Sequence, residues 1–426
     1  MGVPAGWMAP VRVLLAAVTL AVLGADLDGD SPGVPHAGLR AGVARIDITP
    51  DRPLALEGYL DPERRISVGV HDRLYARAVA FAIGTSRLVL VSADLATFTF
   101  GPHIQRLVAE RVGLPPDDIL LCATHTHSGP QLSLNPDYPH PGNAPYTAAL
   151  TARLADVVGR ALGRMAPAQL AVGRSTSRVG MSRRAVLPDG RIEMAPNPSG
   201  VADPEVLVLR VERARGEPLA VLFSYGCHSR SLRSTNRLIS GDVLGIAEQH
   251  VERKLGGSVV AAAFAGASGD VDPERVVDGF DGPEGHVPDT ERLGQSLGDS
   301  VLEALGRARD APMEALGVAT SDIPLNGRQG RDVRRVRVLT AAIGDVGLVA
   351  TECELSAEIG IAMKAASPFR HTFVATVCHG WGGYLPATRQ YPEGGYEVER
   401  SPYAPGAAEQ LVEGVAGMLR RLSRMP

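Results

Sequence analysis

Four short polar clusters hold the residues of this chain whose types and spacing suit metal chemistry. Each cluster follows an apolar, strand-like segment, and they read THTHSG, YGCHSRS, TECE and CHGWGGY. In open α/β folds functional groups gather where strands end and loops begin, so we expect the clusters to share one site. The side chains that they supply are His125 and His127, His228, Glu352 and Glu354, and His379 and Tyr384.

Imidazole and carboxylate side chains are ligands that suit zinc. Two imidazoles and one carboxylate, with a position left open for water, form a common catalytic zinc set. Zinc lowers the pKa of its bound water to about 7, which makes hydroxide available at neutral pH, and a nearby imidazole can hold or move a proton. The clusters therefore predict a metal-dependent hydrolase.

The spacing of His125 and His127 leaves two geometries open. In a strand that continues past Ala123, both imidazoles face the same side and reach one site, while Thr126 points away. In a strand that breaks at Thr124, the loop decides which imidazole reaches the metal.

A second signal is the segment FAGASGDVDPE at residues 264–274. A loop rich in Gly, Ala and Ser after an apolar strand lets the backbone approach a ligand closely. Asp270 and Asp272 could orient a ligand histidine, bind a hard cation or take part in proton transfer, and the alternative is a turn held by Asx bonds. Ser268 is a rival nucleophile, but it lacks the G-x-S-x-G elbow of serine hydrolases.

The elements that must position these clusters alternate along the chain. From about residue 41, strand-like runs such as LAVLFSYG alternate with amphipathic helical segments such as HIQRLVAERVG. The run RVRVLTAAIGDVGLVAT predicts a hairpin that turns at Gly344 and Asp345, and residues 276–289 predict a surface loop. We therefore predict an α/β fold of mixed β-sheets covered by helices. We expect residues 39–426 to form a single large catalytic domain.

The composition excludes some function classes. Of 426 residues, 45% are hydrophobic and 21% are charged, which is ordinary for a globular protein. The net charge of −4 opposes a nucleic-acid surface, and an aromatic content of 4% opposes a platform for stacking single strands.

The N-terminal segment has a composition of its own. Residues 11–25 form an apolar run with one charge, followed by a polar spacer rich in Gly and Pro. The run is short for a membrane span and suits an export signal, and the alternative is an uncleaved anchor because no A-x-A cleavage site follows. Residues 1–38 are therefore interpreted as a signal peptide or anchor plus spacer, which places the globular part outside the cytoplasm.

The four cysteines do not form a zinc motif, because no CxxC spacing is present. In an exported chain they could form two disulfides, and as buried residues in apolar segments they could equally stay free thiols. They are Cys122, Cys227, Cys353 and Cys378.

The clusters, in this order, resemble the neutral (alkaline, non-lysosomal) ceramidase family over about residues 41–422. The segments that carry the resemblance are AGVARIDITP, HDRLYARA, ATHTHSGP, FAGASGDVDP, ECELSAEIG and GGYLPATRQYPEGGYE. Members of that family are zinc-dependent amidases that hydrolyse the N-acyl bond of ceramide to a fatty acid and a sphingoid base. The resemblance thus implies an amidohydrolase in which a metal-bound hydroxide attacks an N-acyl amide.

The resemblance also implies a set of ligands and a set of catalytic residues. The implied zinc ligands are His125, His228, Glu354 and Tyr384, the last through its hydroxyl. The implied catalytic residues are His127 as an acid/base or oxyanion-stabilising group, Tyr396 as a second active-site tyrosine, and Arg183 from the segment MSRRA.

The ceramidases also carry a C-terminal β-sandwich domain, and we expect no C-terminal β-sandwich in this chain. Three positions depart from the family pattern. Asp272 stands where the family has a serine near the substrate, Glu352-Cys353-Glu354 replaces PGE, and His379-Gly380-Trp381 replaces the family's N-x-Y. We include Asp272 among the catalytic candidates, and its extra carboxylate predicts a more polar or cationic substrate.

The predicted function is an exported zinc-dependent amidohydrolase that acts on ceramide or a related N-acyl substrate. Its expected partner is a small molecule or lipid, with peripheral membrane contact left open and no nucleic acid. One alternative is a metal-dependent hydrolase of another ester or of a cyclic amide. Another is a non-catalytic binding protein that kept the fold.

Overall fold

The computed structural model describes residues 38–214, 216–274, 288–312, 315–328, 330 and 332–424. Except for residue 38, the predicted signal or anchor segment lies outside the described residues, and so do residues 276–287 of the predicted surface loop. Among the described residues, no helix is both long and apolar enough to cross a membrane.

The described part of the chain contains seven α-helices, most of which bury one side. In the first, Ile104 and Val108 are buried one turn apart, and the helix ends where Gly113 adopts a left-handed conformation with a φ of 70°. The helices are α1 (Gly101–Val112), α2 (Asn143–Gly163), α3 (Asp242–Lys254), α4 (Pro288–Gly306), α5 (Ala357–Ala366), α6 (Tyr396–Arg400) and α7 (Ala407–Leu422).

The strands alternate with these helices along the chain. They are β1 (Arg40–Asp47), β2 (Gly69–Val70), β3 (Tyr75–Ile83), β4 (Ser86–Ala93), β5 (Ile119–Ala123), β6 (Ala166–Thr176), β7 (Gly180–Val186), β8 (Ile192–Asn197), β9 (Glu205–Arg213), β10 (Pro218–Tyr225), β11 (Leu238–Ile239), β12 (Val260–Ala265), β13 (Val271–Pro273), β14 (Arg309–Ala311), β15 (Leu316–Asn326), β16 (Val333–Ile343), β17 (Val346–Thr351), β18 (Glu354–Leu355), β19 (His371–Ala375) and β20 (Tyr384–Leu385).

Two larger sheets dominate the fold. Nine strands form one sheet in the order β12-β10-β9-β6-β1-β3-β4-β5, with β14 also paired to β6. A second sheet has the order β15-β16-β17-β19. Parallel pairing joins β4 to β5, β10 to β12, and β17 to β19, so both sheets are mixed. Smaller sheets comprise β13-β7-β8, β11-β2 and β18-β20.

Both faces of the nine-stranded sheet are buried. Side chains alternate along a strand, so Ala78 and Ala80 join a core with the helices, whereas Val79 and Phe81 join a core with the four-stranded sheet. The other face of the four-stranded sheet packs against α5 and α7 in a third core. The order of layers is helices, sheet, sheet, helices, which confirms the predicted α/β fold of mixed sheets covered by helices.

The structure confirms the predicted hairpin and adds others that the sequence pattern did not indicate, such as β3 with β4 and β15 with β16. Strands β16 and β17 pair antiparallel and leave Gly344 and Asp345 as the turn. Another hairpin joins β7 and β8, in which Val186 and Met194 are exposed. Its pattern of partial burial lacks the long apolar run that marks the strands of the main sheets.

Arg77 lies fully buried between the nine-stranded sheet and α3. Its guanidinium contacts three carboxylates, at 2.9 Å from Glu252, 2.5 Å from Glu248 and 3.3 Å from Asp94. Burial opposes the charge of Arg77, but the three carboxylates outweigh this effect and raise its pKa. The group ties β3 and the residue that follows β4 to α3, and the hydroxyl of Thr124, in the loop after β5, donates a 3.3 Å hydrogen bond to Asp94.

Candidate metal centre and adjoining cleft

The candidate site lies at the carboxyl ends of parallel strands from both large sheets. His125 follows β5, His228 follows β10, and Glu354 follows β17. The strand β5 ends at Ala123, and His125 adopts a left-handed conformation with a φ of 63°. The loop therefore aims the imidazole of His125, as in the second of the two geometries left open by the sequence.

Backbone contacts hold the two histidine loops together. The backbone N–H of His127 donates a 3.0 Å hydrogen bond to the carbonyl of Ser229, and Thr126 forms an isolated parallel bridge with Ser229. Such contacts fix a left-handed residue that would otherwise carry strain.

His125 and His228 present the same ring nitrogen to a common point. Nδ1 of His125 lies 2.8 Å from the carbonyl oxygen of Ala96, and Nδ1 of His228 lies 2.6 Å from that of Ser268. A carbonyl only accepts, so each Nδ1 carries a proton and donates it, which in the neutral imidazole leaves the lone pair on Nε2. This is the arrangement by which outer hydrogen bonds orient histidine ligands of metals.

Glu354 lies between these two nitrogens. Its Oε2 is 3.2 Å from Nε2 of His125 and 3.1 Å from Nε2 of His228. Its Oε1 accepts a 2.6 Å hydrogen bond from the indole N–H of Trp381. One carboxylate oxygen is thus held by Trp381, and the other faces the imidazoles.

His127 completes a cluster of three imidazoles. His125, His127 and His228 each offer a ring nitrogen within 4.8 Å of the others, and all three side chains are buried. In the described part of the chain, neither ring nitrogen of His127 has a hydrogen-bond partner. Unpaired buried nitrogens are costly in a folded protein, so the chemistry of these donors fits a metal ion.

The three histidines of the cluster differ in the direction in which their pKa values are shifted. Burial opposes protonation of His125, but the Glu354 carboxylate outweighs it and raises the pKa of His125. Burial and the charge of Arg183 lower the pKa of His228 to about 4, and burial with the two other imidazoles lowers the pKa of His127. Burial would raise the pKa of Glu354, yet the imidazoles hold it well below its usual range. His127 and His228 are therefore neutral near pH 7, the form that can bind a metal.

Tyr384 lies beside Glu354 because β18 and β20 are paired in parallel, with Glu354 opposite Tyr384. Its hydroxyl is 3.4 Å from a guanidinium nitrogen of Arg183, and its ring lies 5.6 Å from that of Tyr396. Arg183 is buried and also contacts Glu397 at 2.7 Å and Asp272 at 3.0 Å. Tyr396 is more exposed and begins α6.

Asp272 is paired with two arginines. Its Oδ1 accepts from Arg183 at 3.0 Å, and its Oδ2 lies 3.4 Å from Arg230. Burial would raise the pKa of Asp272, but the two guanidiniums lower it. A carboxylate that is already paired twice attracts a cation weakly, which argues against the cationic substrate preference inferred from the sequence.

The neighbours of Asp272 in the same loop have structural contacts. Asp270 accepts hydrogen bonds of 2.8 Å from the backbone of Ala357 at the start of α5 and from Gln390. Ser268 contacts His228 through its backbone carbonyl, not its hydroxyl. This contact does not make the nucleophile–base pair that a serine hydrolase needs.

Three residues near the site were not named from the sequence, and a fourth, Trp381, was named only as a departure from the family pattern. Trp381 orients Glu354, and Arg230 follows His228 by two positions. Arg65 donates a 2.9 Å hydrogen bond to the carbonyl of His127, and Gly58 lies against the ring of His127. Gly58 has a φ of 106°, and a Cβ there would lie 2.5 Å from that ring, so only glycine fits. Trp381 and Arg230 lie inside the quoted polar clusters, which is the signal that could have indicated them.

A cleft of about 640 Å³ adjoins the imidazole cluster. Tyr59 connects the two, since it lines the cleft and its ring lies 5.2 Å from that of His127. Arg183 also connects the cleft to the site, since it lines the cleft and contacts the hydroxyl of Tyr384. Charged residues that line the cleft are Arg183, Arg230, Arg233, Asp272, Glu274 and Asp289.

All four cysteines are buried free thiols. Cys122 and Cys378 lie opposite each other in an isolated antiparallel bridge, with their sulfur atoms 2.7 Å apart. Cys227 instead contacts the carbonyl of His228, and Cys353 contacts the hydroxyl of Tyr403, each at 3.3 Å.

Comparison with known sequences gives one family and several relatives. Residues 39–281 match the family described as neutral/alkaline non-lysosomal ceramidase, N-terminal. Neutral ceramidase of Pseudomonas aeruginosa is 28% identical over 332 residues, which is 72% of this chain and 46% of that protein. Neutral ceramidase of Mycobacterium tuberculosis is 29% identical over 266 residues, or 58% of this chain and 41% of that protein. The chain thus spans less than half the length of these relatives.

Solved structures share the fold. A ceramidase complexed with C2 superimposes with a TM-score of 0.75 and 20% identity, and covers 92% of this chain and 76% of that one. The crystal structure of neutral ceramidase from Pseudomonas aeruginosa gives a TM-score of 0.74 at 20% identity, with coverage of 92% and 75%.

Proposed function

This chain belongs to the neutral/alkaline non-lysosomal ceramidase family, and from that premise we propose that it is a zinc-dependent amidohydrolase. Its proposed reaction is hydrolysis of the N-acyl amide bond of ceramide or of a related N-acyl compound, to a fatty acid and an amine. The sequence relatives are neutral ceramidases, which supports an amide as the bond that is cleaved.

The observation that carries the proposal is the convergence of two histidines and a carboxylate. His125 and His228 each use Nδ1 to bond a backbone carbonyl and turn Nε2 toward Oε2 of Glu354. Two imidazoles and a carboxylate are a common catalytic zinc set. We assign His125, His228, Glu354 and the hydroxyl of Tyr384 as the residues that would hold the ion.

When bound, zinc would polarise the amide carbonyl and make a water molecule more acidic, with a pKa of about 7. The residues of the chain then have separate tasks. Neither ring nitrogen of His127 has a hydrogen-bond partner in the described residues, so this imidazole is placed to take a proton from the attacking water and pass it to the departing amine nitrogen.

Arg183 and the two tyrosines would stabilise and position the reacting group. Arg183 holds the Tyr384 hydroxyl at 3.4 Å and is itself fixed by Asp272 and Glu397. The hydroxyl of Tyr396, which begins α6 beside Tyr384, is a candidate donor to the negative charge that develops on the carbonyl oxygen. In this role Asp272 positions Arg183 and does not transfer a proton.

We also propose that the chain is exported. The apolar run of residues 11–25, with a single charge and a polar spacer after it, supports this proposal. The mass of the N-terminal peptide from a secreted or periplasmic fraction would test it, because a cleaved signal leaves a shortened N-terminus.

The experiment that tests the enzymatic proposal combines metal analysis with a substrate screen. The purified chain should contain about one zinc ion and release fatty acid from ceramide or another N-acyl compound, and removal of the metal with a chelator should abolish that release. Release that is unaffected by full metal removal contradicts the zinc proposal. A chain that retains zinc but cleaves only esters or cyclic amides favours the alternative hydrolase.

A further inference from the structure

Two guanidiniums flank the ring of Tyr59 in the wall of the cleft. The central carbon of Arg65 lies 4.7 Å from the centroid of that ring, and that of Arg230 lies 5.7 Å from it. Tyr59 in turn contacts His127. Both positive charges are thus close to the imidazole to which we assign proton transfer.

In the described part of the chain, only one carboxylate, Asp272, contacts either guanidinium. Arg65 is buried, and its hydrogen bonds all go to backbone carbonyls, those of Glu57, His127 and Asn236. Arg230 has only Asp272 as an ionic partner, and Asp272 is held more closely by Arg183. Around Tyr59 the two guanidiniums therefore outnumber the one carboxylate that contacts them, Asp272, although the whole cleft lining holds three arginines and three carboxylates.

Arg230 has one edge unused. Its Nη1 lies 3.4 Å from Asp272 and 3.5 Å from the sulfur of Met194. Its Nε is buried without a hydrogen-bond partner among the residues that the structure describes. Nε and Nη2 form one side of the planar guanidinium, and two parallel N–H groups on one side match the two oxygens of a carboxylate.

We propose, on the basis of the proposed amidohydrolase function, that the cleft binds a carboxylate of the substrate and that Arg230 is its main receptor. The substrate class is then an N-acyl amino acid, in which the carboxylate lies next to the scissile amide. An acyl chain gains free energy by burying its apolar surface, so it would not be favoured in a cleft lined by charged residues. The charged lining therefore suits the amino-acid portion of the substrate. Arg230 is therefore a specificity-determining residue.

The test compares two substrates that differ in one group. N-dodecanoylglycine and N-dodecanoylethanolamine have the same acyl chain and amide, and a carboxylate in the first replaces a hydroxymethyl group in the second. We expect kcat/KM for the glycine compound to be higher by about 10-fold or more, as for a charge-assisted hydrogen bond. In Arg230→Gln this ratio should fall to near one.

The variant and its control are chosen to isolate the charge. Arg230→Gln leaves Asp272 paired with Arg183, so it creates no unpaired buried carboxylate. Arg160→Gln removes an arginine from an exposed ion pair on α2 and should leave the ratio unchanged. Zinc content and circular dichroism of both variants verify that the site and fold are intact.

The outcomes separate this inference from the function on which it depends. Equal kcat/KM for the two compounds in the unmodified protein, or a preference that persists in Arg230→Gln, overturns the carboxylate proposal and leaves the amidohydrolase standing. Failure to cleave either compound or ceramide overturns both.

A second inference comes from the sulfur contact between β5 and the segment that follows β19. Cys122 and Cys378 face each other, and the backbone N–H of His379 donates to the carbonyl of Leu121. This flanking bond marks a non-hydrogen-bonded antiparallel pair, whose Cα atoms are typically about 4.5 Å apart. That spacing lies within the range of about 4.4–6.8 Å that a disulfide requires.

We infer that Cys122 and Cys378 form a disulfide when the chain folds in an oxidising compartment, which depends on the proposed export. The two thiols lose two protons and two electrons, one S–S bond forms, and a disulfide oxidant of protein or small-molecule type is reduced to two thiols. Cys227 and Cys353, which contact other groups, remain free.

Peptide mapping tests this pairing. The full chain, folded in the presence of oxidised glutathione, is alkylated in denaturant without reduction, digested and analysed by mass spectrometry. We expect the peptides of Cys122 and Cys378 to be linked and those of Cys227 and Cys353 to be alkylated. Alkylation of all four cysteines, or any other linkage, contradicts the inference.

Discussion

The indole N–H of Trp381 donates a 2.6 Å hydrogen bond to Oε1 of Glu354, although much of the Trp381 side chain is exposed. This bond orients the carboxylate so that its other oxygen faces His125 and His228. An outer hydrogen bond of this kind commonly changes metal affinity by about 10–100-fold.

Trp381→Phe should therefore weaken zinc binding by about 10-fold or more while the fold is preserved. Competition with a chromogenic chelator measures the affinity, and circular dichroism measures the fold. Tyr138→Phe changes an exposed aromatic residue elsewhere and is the control. An unchanged affinity in Trp381→Phe would show that the indole does not orient a ligand.

His228→Ala and His127→Ala should differ in their effects. The first removes an assigned ligand, so zinc content and amidase activity should both be lost in a folded protein. The second removes an assigned proton carrier, so zinc should be retained while kcat falls by about 10²–10⁴-fold. Loss of zinc in His127→Ala would place this imidazole among the ligands.

Arg77→Met should destabilise the protein by about 3–5 kcal/mol, because it leaves Asp94 and Glu248 buried without their cationic partner and Glu252 with only Arg45. Urea unfolding monitored by circular dichroism measures the change. Arg160→Met, which alters an exposed ion pair, should stay within about 0.5 kcal/mol of the unmodified protein. If Arg77→Met does not accumulate, Glu248→Gln provides a milder second variant.

His379 should make stability depend on pH. Its side chain is buried, and burial with the charge of Arg337 lowers its pKa to about 3. The unfolded chain, with a pKa of about 6.5, binds the proton first, so stability falls as the pH drops below that value. Between pH 7 and pH 5 the loss from this group is about 2 kcal/mol.

The variant His379→Gln should lack this contribution. Between pH 7 and pH 5, the unfolding free energy of the unmodified protein should fall by about 2 kcal/mol more than that of His379→Gln. A difference that does not change with pH would mean that His379 is accessible to protons in the folded state.

The sequence predicted the layered fold because its signals are local. Each buried strand is a short apolar run, each helix has a periodic buried side, and the polar clusters directly follow strands. Strands in parallel pairs place their carboxyl ends at the same edge, so position along the chain indicated the clusters that contain His125, His228 and Glu354. The choice of these three as ligands came from the family resemblance.

Other features depend on contacts between distant segments. His125 and Glu354 are separated by 229 positions, and Trp381 reaches Glu354 from a third segment. The pairing of Asp272 with Arg183 and Arg230 changed the expected effect of this carboxylate on substrate preference. The sequence alone does not show whether an aspartate is paired with arginines in the folded protein. The left-handed conformation of His125 was also not apparent, since that conformation is uncommon for residues other than glycine.

The core between the two large sheets determines which fragments of this protein can fold by themselves. Residues 39–281, the segment that matches the family, contain eight strands of the nine-stranded sheet, whereas the second sheet begins only at Leu316. A fragment cut at residue 281 would expose Phe81, Leu120 and Phe264 to water, and it would also lack Glu354. Such a fragment should aggregate when expressed by itself, so this family signature marks a region of similarity and not an autonomous folding unit.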